Sequence, residues 1–133
     1  MLRVQVQKRL GGFALDAAFD GAAQGVTVLF GPSGAGKSSV LAAVAGALRP
    51  DAGRIALDGQ PLFDAAARVD LAMERRRIGW VFQDARLFPH LSVEDNLRFG
   101  LKRAPAAGRP IAFEEVVAVL GVERLLARRP RDL

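Results

Sequence analysis

The 133-residue sequence is long enough for about one domain, and its composition, half hydrophobic and a quarter charged, is that of an ordinary globular protein. It contains no cysteine and a single histidine, His90, which excludes disulfides, thiolate metal sites and multi-histidine metal sites. The net charge is +5, yet no aromatic residues interleave with the arginine clusters, so we expect no nucleic-acid partner. No apolar run approaches the roughly 20 residues that span a bilayer, and the N-terminus lacks a secretory signal, which predicts a cytoplasmic protein.

The N-terminal part of the chain shows the alternation of apolar and polar residues that is typical of β-strands. Residues 2–7 and 13–19 both follow this pattern and are separated by two glycines, which predicts an antiparallel pair. Residues 26–30, with the sequence VTVLF, are almost continuously apolar. Such a run is typical of a strand that is buried on both faces in a parallel sheet.

The middle of the chain predicts a helix and further strands. Apolar residues at helical spacing indicate a helix over residues 37–48, and proline and glycine follow it. Residues 54–57 and 61–63 flank an Asp-Gly turn and predict a hairpin. Residues 65–77 are expected to be a less ordered connection, whereas residues 78–82, IGWVF, predict another buried strand.

The last third of the chain changes to a helical pattern. Ser92 and Asp95 form a helix-start signal, with the serine as cap, and the helix is predicted to run to about residue 101. Residues 104–110 are rich in alanine, glycine and proline and predict a loop. Apolar spacing predicts a helix over residues 113–120, and one more short helix is expected over residues 122–129.

The strongest motif follows the apolar run, where residues 31–38 match G-x-x-x-x-G-K-[ST] between a predicted strand and a predicted helix. Binding a triphosphate requires several converging backbone N–H groups, and glycines let the chain wrap tightly while the helix N-terminus adds its positive dipole end. Lys37 supplies a charge for the β- and γ-phosphates, Ser38 a hydroxyl for Mg²⁺, and Ser39 a further hydrogen bond. The predicted nucleotide-binding residues are Gly31, Pro32, Ser33, Gly34, Ala35, Gly36, Lys37, Ser38 and Ser39.

A second segment, RIGWVFQDARLFPHLSV at residues 77–93, makes a family resemblance visible. Together with residues 31–39, which are similar to a Walker A motif, the chain resembles an ABC-transporter ATPase. Residues 81–83, Val-Phe-Gln, resemble that family's Q-loop, and residues 49–59 resemble the linker and strand between the two motifs. Within the family, residues 82–90 are most similar to the ATP-binding subunits of molybdate importers. The resemblance covers essentially the whole chain.

The resemblance implies an α/β P-loop NTPase fold, with a RecA-like parallel sheet core and N-terminal antiparallel strands. Residues 1–84 would form this nucleotide-binding core, and residues 85–133 would begin a helical subdomain. The implied cofactors are ATP and Mg²⁺. Gln83 would reach both the metal and the attacking water, since an amide can donate and accept hydrogen bonds. The implied catalytic residues are therefore Gln83 and Lys37, and the implied metal contacts are Ser38 and Gln83.

The resemblance also implies partners. Phe88, His90 and Leu91 would lie near a docking surface for membrane-spanning permease subunits, on the inner face of the cell membrane. The full-length protein would form a homodimer of ATPase subunits. The family stacks an aromatic side chain on adenine, and Phe13 is the candidate because the matching position near Leu10 is not aromatic. The alternative interpretation is that Phe13 is an ordinary inward-facing strand residue.

The family pattern is incomplete in this sequence, which ends where the signature loop would begin and lacks a Walker B strand, a catalytic glutamate and a switch histidine. We therefore expect a truncated ABC ATPase domain that binds MgATP weakly without hydrolysing it. Residues 26–30 would then lack a sheet neighbour and expose an apolar edge, which predicts poor solubility.

The interpretation carried forward is an ATPase subunit of an importer that drives uptake of an oxyanion, molybdate. Two other classes share the phosphate loop. The first is a P-loop enzyme such as a small-molecule kinase, in which residues 75–77, three arginines, would serve as a lid. The second is a soluble ABC protein of DNA repair or translation. The segment around Gln83 and the Phe-Pro-His sequence at residues 88–90 favour the transporter interpretation over both.

Overall fold

The computed structural model describes residues 1–84, 86–101 and 111–133. The chain divides into two compact units, Met1–Val81 and Phe82–Leu133. Among the described residues, every strand lies in the first unit, and the second unit is built from helices and turns.

The first unit is built on an antiparallel five-stranded sheet. Its strands are β1 (Leu2–Leu10), β2 (Phe13–Gly21), β3 (Ala52–Leu57), β4 (Gln60–Asp64) and β5 (Val69–Asp70). They are arranged in the order β2-β1-β3-β4-β5, so that β1 pairs with β2 along its whole length and with β3 from Leu2 to Gln7. The predicted antiparallel pair and the predicted hairpin are confirmed. The connection expected over residues 65–77 is more ordered than predicted, because it contains β5.

The hydrophobic core lies on one face of this sheet, because alternate residues of each strand point to the same side. Helix α1 (Lys37–Ala45) packs on that face through Val40 and Ala43. The strands contribute the remaining buried members of the core, which are Val4, Val6, Leu15, Ile55, Leu62 and Phe63. The polar residues that alternate with them, such as Gln5, are exposed. The core therefore holds α1, and with it the phosphate loop, against the sheet.

Helix α1 is confirmed, but it ends at Ala45 and not at residue 48. Gly46 adopts a left-handed conformation with φ of 92°, and its N–H donates to the carbonyl oxygens of Ala42 and Ala43. A glycine in this position ends a helix by turning the chain while satisfying the last carbonyls. Gly46, and not the proline at position 50, therefore ends the helix.

Two predicted buried strands are not formed. Residues 26–30 and 78–82 form no regular secondary structure and pair with none of the described strands, so the parallel sheet core expected for this fold is absent from the described residues. Their apolar side chains are exposed: Val26 by 88%, Phe30 by 99% and Val81 by 94%. A strand is stable only when its backbone groups have neighbours, and the antiparallel sheet supplies none here. Apolar side chains within residues 26–30 are exposed as expected, but these residues do not form the strand whose edge was predicted.

The second unit contains helices α2 (Val93–Leu101) and α3 (Phe113–Leu120), as predicted. The helix start is confirmed as well, because the N–H of Asp95 donates to Oγ of Ser92 at 3.1 Å and that hydroxyl donates to the Asp95 carboxylate at 2.8 Å. The loop expected over residues 104–110 lies outside the described residues. Within the described residues, every helix is too short or too polar to traverse a bilayer.

The prediction of a short helix over residues 122–129 is wrong, because this segment forms a single 3₁₀ turn, at Glu123–Leu125. The carbonyl oxygens of Leu126 and Arg128 instead accept hydrogen bonds from the amides of Glu94 and Val93, at 3.0 and 2.8 Å. The first amides of a helix have no partner within that helix. Residues 126–128 therefore provide acceptors for the start of α2.

Candidate functional site

The phosphate loop occupies residues 31–36 and leads directly into α1. Gly34 and Gly36 have φ of 81° and 88°, a left-handed conformation that glycine adopts most readily. The amide of Ala35 donates to the carbonyl oxygen of Pro32 at 3.3 Å, which closes a tight turn. Residues 32–35 are exposed, and the backbone N–H groups of Ser33 and Gly34 lie within this exposed stretch.

Gly36 is where the loop rests against the sheet. A Cβ atom placed on Gly36 would lie 2.7 Å from Cδ1 of Leu15 and 3.2 Å from the ring of Phe13. Both side chains belong to β2, so only a residue without a side chain lets the loop approach this strand so closely. Phe13 lies on the same face of β2 as the buried Leu15, because the two residues are two positions apart on the strand. As the first residue of the strand it is 39% exposed, and its ring lies beside Gly36.

Lys37 folds back over the loop. Its Nζ donates to the carbonyl oxygens of Gly31 at 2.8 Å and Pro32 at 2.6 Å. These bonds hold a full positive charge beside the loop backbone, and the ammonium group carries a third proton for another acceptor.

The start of α1 is suited to an anion. Its N-cap, Gly36, makes no side-chain hydrogen bond, and its first turn, which is fully described, contains no acidic residue. Ser38 is exposed and Ser39 is half-buried within that turn. Free amides, a helix dipole, a lysine and two hydroxyls thus lie within one turn of each other, an arrangement that can bind a polyphosphate.

Gln83 belongs to the second unit, near its first residue. It is exposed and lies in a bend that follows residues 78–82. Close to it in sequence, the guanidinium of Arg86 stacks over the ring of Phe82 at 4.1 Å. The Gln83 amide is therefore exposed on the surface of its own unit, immediately after residues 78–82.

The candidate docking residues form a cluster in the second unit. The ring of Phe88 lies 4.4 Å from that of Phe99, on α2, and 6.0 Å from that of His90. Phe88 and His90 are exposed and Leu91 is half-buried. Aromatic side chains presented in this way are typical of interface anchors.

Asn96 holds this cluster in place, and the sequence reasoning missed it. Its Oδ1 accepts from the amide of Phe88 at 2.8 Å. Its Nδ2 donates to the carbonyl oxygens of Phe88 at 3.1 Å and Ser92 at 2.8 Å, and more distantly to that of Leu91. One amide side chain thus pairs with a loop backbone as a strand would. Position 96 carries no motif that could have shown this, since the pairing depends on the loop conformation.

Replacing Asn96 with alanine is expected to loosen the loop at residues 86–91. The lost bonds are worth about 1 kcal/mol each, so amide hydrogen exchange at Phe88 should accelerate by roughly tenfold or more. Asn96→Asp is the matched control, because it keeps the acceptor for the Phe88 amide and should retain most of the protection. Equal exchange in the alanine variant and the unmodified chain would contradict the assigned role.

Comparisons with known proteins identify the family of this chain. The family model for ABC transporters matches residues 16–133. The chain is 53% identical to the molybdenum import ATP-binding protein ModC of Rhodospirillum rubrum, over 100% of this chain and 36% of that protein. It is 50% identical to the ModC of Rhizobium etli, over 99% of this chain and 37% of that protein. The chain therefore spans little more than a third of the length of these relatives.

Solved structures show the same fold. The dimeric post-hydrolysis ATP-binding cassette MJ0796 bound to ADP and Pi matches with a TM-score of 0.64 and 23% identity, over 100% of this chain and 63% of that one. The cbiO1 subunit of Clostridium perfringens matches with a TM-score of 0.63 and 24% identity, over 99% and 55%. With the family model covering most of the sequence, the chain belongs to the ABC transporter family.

Proposed function

We propose that this chain is the nucleotide-binding portion of the ATPase subunit of an ABC importer that takes up molybdate. The observation that carries the proposal is the glycine loop closed by the ammonium of Lys37 at the start of α1. The cargo is supported by the relatives, which are molybdenum import ATP-binding proteins. Binding and hydrolysis of ATP in the whole protein would drive uptake by its membrane-spanning partners.

The residues of the loop offer groups that can bind a nucleoside triphosphate. The amides of the exposed residues Ser33 and Gly34 and the free amides of the first turn of α1 would donate to phosphate oxygens. Lys37 would neutralise charge on the β- and γ-phosphates, and Ser39 would add a hydrogen bond. The same residues explain why an anion is favoured here, because no carboxylate lies in the first turn of α1.

As the family resemblance implies, we propose Ser38 and Gln83 as the protein's oxygen donors to a magnesium ion. The hydroxyl of Ser38 is exposed directly after Lys37, and Gln83 presents an exposed amide. Hydroxyl and amide oxygens are hard ligands of the kind that Mg²⁺ accepts together with phosphate oxygens. When bound, Mg²⁺ supplies charge neutralisation across the β- and γ-phosphates. Gln83 would in addition orient the attacking water, because its amide both donates and accepts.

The proposal extends to organisation and partners. Residues 1–84 would form the nucleotide-binding core and residues 85–133 the beginning of the helical subdomain. The aromatic cluster of Phe88 and His90, with Leu91, would contact the permease from the cytoplasmic side of the membrane. Two ATPase subunits would pair in the whole protein, which is supported by the dimeric cassette of the same fold.

The proposal is tested by titrating a fluorescent ATP analogue into the purified chain with Mg²⁺ or with EDTA. We expect magnesium-dependent binding, and its absence from folded protein would refute the nucleotide assignment. Uptake of radiolabelled molybdate by cells with the gene disrupted tests the cargo. Complementation by the intact gene but not by its Lys37→Ala variant is expected, and normal uptake in the disrupted strain would refute the molybdate assignment.

Phe13 provides a prediction about the adenine. If its ring stacks on the base, Phe13→Ala should weaken MgATP binding by about 5- to 100-fold, since one stacked base is worth about 1–3 kcal/mol. Binding of tripolyphosphate, which has no base, should stay unchanged, and Phe13→Trp should retain ATP affinity. A similar loss for both ligands would instead mean that Phe13 acts only by supporting the loop at Gly36.

A further inference from the structure

We infer that Arg76 is a positioning residue for the phosphate loop, because it fixes the C-terminal end of the helix whose N-terminal end carries that loop. This inference rests on the proposed nucleotide-binding function. In the sequence, Arg76 is the middle member of a basic run and looks like part of a solvated surface. In the structure its side chain is 1% exposed.

The contacts of Arg76 join α1 to the segment that follows β4. Its Nη1 donates to the carbonyl oxygens of Ala43 at 2.8 Å and Val44 at 3.0 Å, both in the last turn of α1. Its Nε donates to the carbonyl oxygen of Leu71 at 2.8 Å, and its Nη2 to the Asp70 carboxylate at 3.1 Å. A single guanidinium therefore ties two parts of the chain that are more than 30 residues apart in sequence.

The chemistry of the site selects arginine. The final carbonyls of a helix lack partners within that helix, and a cation beside them also complements the negative end of the helix dipole. A guanidinium offers five donors in a rigid fork, whereas an ammonium on a flexible stem cannot reach the same acceptors together. Burial lowers the pKa of Arg76, and the charge of the neighbouring Asp70 and its hydrogen bond to Arg76 oppose this effect.

Neighbouring residues pack closely against this guanidinium. A Cβ atom on Gly46, the residue that ends α1, would lie 2.7 Å from Nε and 3.0 Å from Cζ of Arg76. The other carboxylate oxygen of Asp70 forms an ion pair with Nε of Arg49, at 3.3 Å. The anchor is therefore a polar network in which the buried guanidinium of Arg76 is the central member.

Helix α1 depends on anchors at its two ends, because its own packing is modest. It has nine residues, and its buried side chains are the small ones of Val40, Ala43 and Ala45. The close approach of Gly36 to β2 fixes one end, and Arg76 fixes the other. A helix of this length is about 13 Å long, so a tilt of about 5° at one end moves the amides at the other by about 1 Å. Displacements of that size weaken aligned ligand contacts.

The test is Arg76→Lys in the full chain, which keeps the charge but loses the fork. We measure binding of a fluorescent ATP analogue with Mg²⁺ and of tripolyphosphate, at a temperature where circular dichroism shows both proteins to be fully folded. We expect affinity for both ligands to fall by about three- to tenfold. Arg75→Lys is the matched control, because Arg75 is exposed and makes no ion pair with the described residues, and its affinity should change by less than about twofold.

An affinity for Arg76→Lys equal to that of the unmodified chain, alongside a lower melting temperature, would overturn the inference and leave Arg76 a purely structural residue. If Arg76→Lys does not fold, Gly46→Ala decides by the same comparison, because its methyl group displaces the guanidinium without removing it. Failure of the unmodified chain to bind MgATP would instead refute the proposed function. The two failures are thus distinguished by the unmodified protein.

Discussion

Replacing Lys37 with alanine is expected to weaken MgATP binding by about 10- to 100-fold while leaving the fold intact. The ammonium group would make charge-assisted hydrogen bonds to the phosphates, and such bonds are worth about 1.5–3 kcal/mol each. In the free chain its ammonium donates to two loop carbonyls, those of Gly31 and Pro32, from a half-buried position. Losing those contacts should lower the free energy of unfolding by about 1 kcal/mol. Titration of a fluorescent ATP analogue measures the affinity, and urea denaturation measures the stability.

Lys8→Ala is the matched control for the Lys37 variant. Lys8 lies on β1 and pairs with Asp51 at 2.7 Å, so its removal also deletes one positive charge and one contact. Ion pairs of this partly exposed kind contribute little to stability, and the affinity for MgATP should change by less than about twofold. Equal affinities of the Lys37 and Lys8 variants would show that the ammonium of Lys37 does not contact the phosphates.

Gly53→Ala should be the most destabilising single substitution in the first unit. Gly53 has φ of 100° and pairs with Val6 across the β1–β3 ladder. An added Cβ atom would lie 2.0 Å from the carbonyl oxygen of Gln5 and 3.0 Å from Cα of Val6. Both contacts are with backbone, which cannot rotate away, so the two strands must separate beside the buried core residue Val6. We expect a loss of about 3–5 kcal/mol in the free energy of unfolding, measured by urea denaturation.

Gly59→Ala separates the clash from the backbone conformation. Gly59 also has a left-handed φ, of 82°, but no described heavy atom lies within 4 Å of its Cβ position. Alanine should therefore lose only the intrinsic preference of glycine for this conformation, about 1–2 kcal/mol. Two variants that were equally destabilised would mean that the close approach of β1 to Gly53 is not the dominant effect.

The two buried strands, residues 26–30 and 78–82, were predicted wrongly because an apolar run does not identify its neighbour in a sheet. An apolar run such as residues 26–30 indicates a segment that is stable when it is buried, but it does not indicate which other segment buries it. The described sheet instead forms from residues that alternate in polarity, and each of its strands finds an antiparallel neighbour. Side chains such as Phe30 and Val81 are exposed as a result.

The amino-acid pattern alone determined the features that depend on neighbours in sequence. The phosphate loop, the Ser92 cap with Asp95 and the hairpin of β3 and β4 are each specified within a few residues, because hydrogen-bond partners and turn conformations are local there. Family membership followed from the same short motifs. A role for Lys37 could be predicted in this way because the chemistry of a phosphate site requires particular residue types at fixed spacing, whereas the role of Gln83 is implied only by the family resemblance.

Tertiary structure alone decided the burial of Arg76, the exposure of Phe13 beside Gly36 and the close approach at Gly53. Each depends on a contact between residues far apart in the chain, such as Arg76 with Ala43. An arginine in a basic run has the same local pattern whether it is solvated or buried. Only packing that brings unsatisfied helix carbonyls to its guanidinium distinguishes the two, because hydrogen-bond donors and acceptors removed from water must find one another.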